Sequence, residues 1–408
     1  MWLPQLMPGV SDWKRFKRRK ANRQARVAGY HHAAAMSLIA PLDAETLEWA
    51  MKNPVRRLPD ARLVVTPETV SLFAQQTVAA TDDTLQTKAE AYAPVLNCSP
   101  DWVRVERISA QTVRLVFPRV APVDRLAVAI PFPEPGHPCP RTNAATDPVA
   151  PLVIGRQDSG ADFCLNLADR QTLVLGSSGS GKGSVVWSVM LALAPHIDRG
   201  TVRVIGVDLK GGVELITGEP LFDSIATTFE QAAAALGELR AEVDRRLEYM
   251  VSVGSRKHEP TTEQPAILLL LDEYSSLVYT APDNKAKTAI ESDLKRVLST
   301  GRAARINVLA LAQDPRADSI LARSLFTSVV GLRFRTKDDA TLALGASTYD
   351  AGAHCDKIPQ SQPGTGYMVD GETGAVVRFR AFWCDDQAIK DAARQYRKMP
   401  PYKLDIPA

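Results

Sequence analysis

The sequence predicts an α/β chain: a parallel sheet covered by helices on both faces, preceded by a smaller α+β domain. Three observations carry this. From about residue 150, short apolar strands alternate with helical stretches. A glycine-rich loop, Gly176-Ser177-Ser178-Gly179-Ser180-Gly181-Lys182, stands between one such strand and one such helix. Just upstream, Pro131, Pro133, Pro135, Pro138 and Pro140 remove ladder donors and favour an extended connector.

In chain order, residues 1–30 form a basic segment. Eight positive charges fall within the thirteen residues from Lys14 to Arg26, with Trp13 and Phe16 interleaved. Such a run suits a solvated tail, an anionic bilayer at about 1 kcal/mol per charge, or DNA phosphate. Residues 31–145 are expected to be the small domain, mostly helical over 31–100, with strands at 103–106 and 112–117 and the proline-rich linker at its end. The boundary is placed near residue 145. Residues 146–385 form the α/β domain, and 386–408 a C-terminal tail. Within the larger domain, strands are expected at 171–175, 202–207, 266–271, 307–311 and 328–334. Helices are expected at 185–193, 229–250, 290–300 and 320–325.

Composition excludes several classes. The 408 residues carry a formal net charge of only +3, so any nucleic-acid surface must be local. The five cysteines are widely separated and form no Cys-x-x-Cys pair, which suits reduced cytosolic thiols. His354 beside Cys355 lacks the spaced ligand pairs of a zinc site. No apolar run reaches the ~18 residues of a membrane span. A cytoplasmic protein is expected, with any membrane association peripheral.

The glycine-rich loop points to a nucleotide. Its glycines let backbone N–H groups turn toward phosphate oxygens, the following helix adds its positive N-terminus, and Lys182 reaches the β- and γ-phosphates of ATP. The usual hydroxyl residue after the lysine, a Mg²⁺ ligand, is replaced by Gly183, with Ser184 next. One helical step turns a side chain by about 100°, so either Ser184 serves from a shifted position or water does. A reading as a degraded, non-hydrolysing site follows from the same residue. Further on, the apolar strand at 266–271 ends in Asp272 and Glu273. Asp272 is a candidate for the Mg²⁺ shell, and Glu273 for the general base. Gln313 ends a neighbouring strand as a candidate γ-phosphate sensor, and Arg302 precedes that strand.

Four segments together resemble the motor domain of the FtsK/SpoIIIE DNA translocases: Gly176 to Ser184, Asp208-Leu209-Lys210-Gly211-Gly212-Val213-Glu214-Leu215, Leu271-Asp272-Glu273-Tyr274, and Gly301-Arg302-Ala303-Ala304-Arg305-Ile306-Asn307 through Gln313-Asp314-Pro315. The Lys-Gly-Ser ending of the loop is similar to the actinobacterial conjugative, TraB-like branch. The resemblance implies a RecA-like P-loop NTPase sheet, a homo-hexamer around double-stranded DNA and ATP-driven translocation. It also makes Arg302 a trans-acting finger and Gln313 a sensor. Arg305, Ala312 and Asp314 depart from the family pattern, and its membrane-spanning N-terminus and winged-helix reader are not recognised. A coupling ATPase for single-stranded DNA, or a non-hydrolysing ATP-binding scaffold, are the alternatives.

Overall fold

The computed structural model describes residues 61–396 with gaps, continuously from 151 except for 317–319 and 371–373. The basic run at 14–26 and much of the expected helical region at 31–100 lie outside the described residues. The chain forms two compact units that part between Val123 and Asp124.

In the first unit, β1 (Ala61–Val65), β2 (Thr69–Gln75), β3 (Arg104–Arg107) and β4 (Thr112–Pro118) form an antiparallel sheet in the order β1-β2-β4-β3. Helix α1 (Asp82–Tyr92) stands between the two strand pairs in sequence. The strands near 103 and 112 occur as expected. Residues 61–75, by contrast, are a strand pair and not helix. Val64, Val65, Val70 and Phe73 are β-branched or aromatic, and a proline at position 67 opposes a continuous helix over this stretch of sequence.

The second unit is built on a ten-stranded sheet among the described residues. It contains β5 (Leu152–Gln157), β6 (Asp162–Leu165), β7 (Thr172–Leu175), β8 (Val202–Asp208), β9 (Ser224–Ala226), β10 (Ala266–Asp272), β11 (Ile306–Ala312), β12 (Ser328–Leu332), β13 (Thr365–Val369) and β14 (Val376–Ala381). The order is β6-β5-β14-β13-β12-β7-β11-β10-β8-β9. Strands from β12 to β9 run parallel, and the remainder extend the sheet antiparallel.

Parallel strands buried on both faces read as continuous apolar runs, and alternate residues serve opposite faces. Val174, Val204, Leu268, Leu270 and Leu309 pack on one face with α2 (Lys182–Asp198). Leu173, Ile205, Leu269, Leu271 and Val308 pack on the other with α3 (Phe229–Val253) and α4 (Asn284–Thr300). Each buried leucine or valine contributes roughly 1.5–3 kcal/mol over exposure. Helix α3 begins at a capping box, Thr228 with Gln231, and ends at Gly254 in the left-handed conformation. Helix α4 begins where Asp283 accepts from the Ala286 N–H.

Three expectations shift. The helix at 320–325 is only a one-turn 3-10 piece, Arg323–Leu325, after Ala322 in a left-handed conformation. The start of the C-terminal tail is a helix, α5 (Asp386–Gln395), whose Ile389, Ala392 and Ala393 join the core. The connector after Val123 docks well before residue 145. The buried Arg380 donates to the carbonyls of Leu126 and Ala127, and at an isolated bridge between Pro131 and Trp383 the Phe132 N–H donates to the Trp383 carbonyl and the Trp383 N–H to the Ile130 carbonyl. The four described cysteines, Cys98, Cys164, Cys355 and Cys384, form no disulfide with one another.

Candidate active site

Parallel strands put their C-terminal ends on one edge of the sheet, and helices that follow them leave a crevice there. The glycine-rich loop follows β7, Asp208 ends β8, Asp272 ends β10, and Gln313 follows β11. These four strands are adjacent, so the sheet order alone gathers the motifs.

The loop is held by its own geometry. Gly181 has φ 91°, and a Cβ there would lie 2.0 Å from the backbone nitrogen of Gly364, so only glycine fits. Gly364 donates its N–H to the Ser180 carbonyl at 2.8 Å, and Arg380 donates to the Pro363 carbonyl. On the other side, the Arg333 carbonyl accepts from Ser177 N–H and Oγ, and its guanidinium donates to the Ser178 carbonyl. Helix α2 starts without any side-chain cap, leaving its first N–H groups to face an anion.

A cavity of about 240 Å³ is lined by Ser178, Gly179, Ser180, Gly181, Lys182 and Gly183 from the loop, and by Asp272, Glu273 and Gln313. Lys182 donates to the Gly176 carbonyl at 2.8 Å. Burial lowers its pKa, against the opposing charges of Glu273 and Asp272. The Ser180 hydroxyl is buried on this wall and makes no hydrogen bond among the described residues. Orphaned donors, an uncapped helix and a desolvated lysine together fit a phosphate chain.

Opposite the loop stand acids in two different states. Asp272 is in register with the fully buried Asp208 on the next strand. Burial, then the charges of Asp208 and Glu214, push the Asp272 carboxyl from 3.8 up to about 6. Burial also raises Glu273, but the Ser275 hydroxyl, Lys210 and Lys182 outweigh it and hold Glu273 below its usual value. Glu273 has φ 56°, the left-handed region that a non-glycine residue rarely adopts.

The sequence-derived candidates are not all placed alike. Ser178 to Gly183, Asp272, Glu273 and Gln313 meet in one cavity. Ser177 lines an adjoining cavity with Gln313 and Arg316, and Gly176 serves through its carbonyl. Ser184 does not line the nucleotide cavity; its side chain faces Gly364. Arg302 is exposed and precedes β11, at the opposite edge of the sheet. A strand of seven residues spans about 20 Å, so Arg302 cannot reach its own chain's cavity. Sequence reasoning gave no role to Lys210, Glu214 or Arg333. The first two stand in the segment after Asp208 that the resemblance marked, whereas nothing in the sequence distinguished Arg333.

Residues 142–266 match the family model described as FtsK/SpoIIIE family. The chain is 28% identical over 211 residues to a sporulation regulatory protein of Streptomyces azureus, covering 50% of this chain and 68% of that one. It is 26% identical over 285 residues to the transfer protein TraSA of Streptomyces ambofaciens, covering 65% and 67%. With the DNA translocase FtsK of Listeria monocytogenes it shares 29% over 192 residues, covering 41% of this chain and only 24% of that protein. Among solved structures, the pCW3 conjugation coupling protein TcpA aligns with a TM-score of 0.53 at 17% identity, covering 91% of this chain and 99% of that one. The type VII secretion ATPase EccC of Thermomonospora curvata aligns at 0.51 and 20% identity, covering 67% and 33%. These likenesses agree with the sheet order in giving a RecA-like P-loop ATPase fold.

Proposed function

We propose that this chain, which carries an FtsK/SpoIIIE-family domain, is an ATP-driven motor that moves double-stranded DNA in the transfer of a plasmid or integrative element. The observation that carries the reading is the meeting of Lys182, Asp272, Glu273 and Gln313 from the ends of three adjacent strands on one cavity. The relatives named for DNA translocation and transfer supply the substrate class.

In this reading the loop from Gly176 to Gly183 cradles the phosphates, with Lys182 neutralising their charge. Glu273 accepts the proton of the attacking water, and Gln313 senses the γ-phosphate from the adjoining strand. Asp272, crowded by Asp208 and Glu214, gains from a nearby cation and so fits hydrated Mg²⁺. Among the described residues no group of three or more His, Cys, Asp or Glu side chains gathers to hold a metal alone. Asp272 would therefore share the ion with phosphate oxygens and water, and the ion would screen the phosphate charge. Arg302 acts on the nucleotide of a neighbouring copy, which calls for a ring, a homo-hexamer in the family pattern. Among the described residues no helix is long and apolar enough to cross a membrane. The basic run at 14–26 then serves as an attachment to anionic lipid or DNA.

The test is phosphate release measured without nucleic acid, with duplex DNA and with single-stranded DNA. Stimulation by duplex is expected. Stimulation by single strands alone selects a coupling ATPase instead. The position of Ser184, turned toward Gly364 and away from the cavity, favours the second reading of a non-hydrolysing ATP-binding scaffold. ATP binding without turnover under every condition would establish it.

A further inference from the structure

We infer that Lys210 is a restraint on the catalytic carboxylate: its ion pair with Glu273 holds the site at rest, and departure of Lys210 releases Glu273 for hydrolysis. The inference rests on the assignment of Glu273 as general base.

Both oxygens of Glu273 are engaged. Oε1 accepts from the Ser275 hydroxyl at 2.5 Å, and Oε2 accepts from Lys210 Nζ at 3.2 Å. A base works on water through an oxygen that faces the water, and a charged donor on that oxygen both occupies it and weakens its basicity. One partner must therefore yield. Ser275 is buried and only two residues along the chain, so its bond belongs to the turn itself. Lys210 comes from a different strand end, its side chain is 48% exposed, and its stem is long and free to rotate. The lysine end of the pair is half exposed and the glutamate end buried, so Lys210 can exchange its bond to Glu273 for water while Glu273 stays in place, which suits a switch better than a strut.

The backbone around Lys210 is arranged for such an exchange. The buried Asp208 carboxylate accepts the N–H of Lys210 with one oxygen and the N–H of Glu214 with the other, each at 3.0 Å. Both ends of the turn are thus pinned. Between them Gly211 and Gly212 have φ 88° and 79°, and a Cβ at Gly211 would meet nothing within 4 Å. Val213, at the tip, is 70% exposed. Lys210 can leave Glu273 while Asp208 keeps its bonds and the strand end keeps its place.

The experiment compares Lys210→Met and Lys210→Arg with the wild type in the full chain. Phosphate release without nucleic acid should rise by about tenfold in Lys210→Met, and the ratio of DNA-stimulated to unstimulated rate should fall toward one. Lys210→Arg, which keeps the charge, should keep the wild-type ratio. Binding of a fluorescent ATP analogue should stay within about threefold of wild type in both. A lower unstimulated rate in Lys210→Met with binding intact would overturn the inference, making Lys210 an aid to chemistry. An unchanged ratio would overturn it equally. Hydrogen exchange over residues 211–213, between the two pinned ends, supplies a readout that needs no turnover: exchange should quicken in Lys210→Met, and identical exchange shows that the pair restrains nothing. If the wild type hydrolyses ATP under no condition, the motor reading itself fails, whereas the exchange comparison still decides whether the pair restrains this segment.

Discussion

The two edges of the large sheet carry similar charges put to opposite uses. At the C-terminal edge, Lys182, Asp272 and Glu273 line a cavity; burial lowers the pKa of Lys182, burial and like charge raise that of Asp272, and, against burial, the Ser275 hydroxyl with Lys210 and Lys182 lowers that of Glu273. At the N-terminal edge the charges are spent on the fold. Arg246 is fully buried, bonded to Glu242 and to the Ala304 carbonyl. Arg305, also buried and with φ 56°, donates to the Ala168 carbonyl. His258 donates its backbone N–H to the Ala303 carbonyl. All of these brace the turn at 301–305, and Arg302 alone among its arginines projects into solvent. Three residues apart, Arg302 and Arg305 differ in kind: one is bound into the architecture, and the other is presented by it. A perturbed, cavity-lining charge marks a candidate site on the same chain, and the proposed function gives the exposed Arg302 a target on another copy.

The comparison can be broken most severely at Lys182. Lys182→Ala should abolish binding of a fluorescent ATP analogue and all turnover, with an unchanged melting curve; retained turnover would remove the phosphate loop from the chemistry. At the other edge the effect should be on the fold. Arg246→Ala leaves Glu242 buried without one of its partners and should destabilise by about 3 kcal/mol in denaturant unfolding. A stable variant with altered kinetics would blur the distinction between the edges.

A smaller effect should appear in pH. The folded Asp272 carboxyl, at about 6, holds its proton more tightly than the unfolded chain at 3.8. Its ionisation therefore costs stability, fully above pH 6 and not at all below about pH 4. Asp272→Asn should be more stable than wild type at pH 7.5 by up to about 3 kcal/mol, and the gap should close as pH falls toward 4. A gap that widens in acid would contradict the assignment. The smallest change concerns Gly183. A Cβ there meets nothing within 4 Å, so Gly183→Thr is sterically open. It should lower the Mg²⁺ concentration for half-maximal ATP binding by about threefold, and no change would mean that water already serves that position well.

How far the sequence could be read depended on the range of the cause. The strands at 202–208, 266–272 and 306–312 were legible because strands buried on both faces are continuous apolar runs. The phosphate loop and the Asp272-Glu273 pair were legible because one strand end fixes each. The strand pair at 61–75 was missed because two short strands around Pro67 carry little periodicity for any one window. The position of Ser184 was not legible for a local reason: one step along a helix turned it toward Gly364, a residue 180 positions away in sequence. The Lys210–Glu273 pair spans 63 positions and depends on two strands being neighbours. That Arg302 precedes β11 was legible, but its distance from its own chain's cavity followed only once β11 was seen to run from one edge of the sheet to the other.

The account's central claim is that the two edges serve one reaction in different copies of the chain. Arg302→Ala tests it most directly, through DNA-stimulated phosphate release measured beside ATP binding and thermal unfolding. A positive charge supplied from a neighbour to the γ-phosphate stabilises the transition state far more than the bound nucleotide. The variant should bind ATP as the wild type does and melt within about 0.5 kcal/mol of it. Its DNA-stimulated turnover should fall by about a thousandfold. Wild-type turnover in that variant would leave Arg302 an ordinary surface charge and each copy's cavity complete in itself.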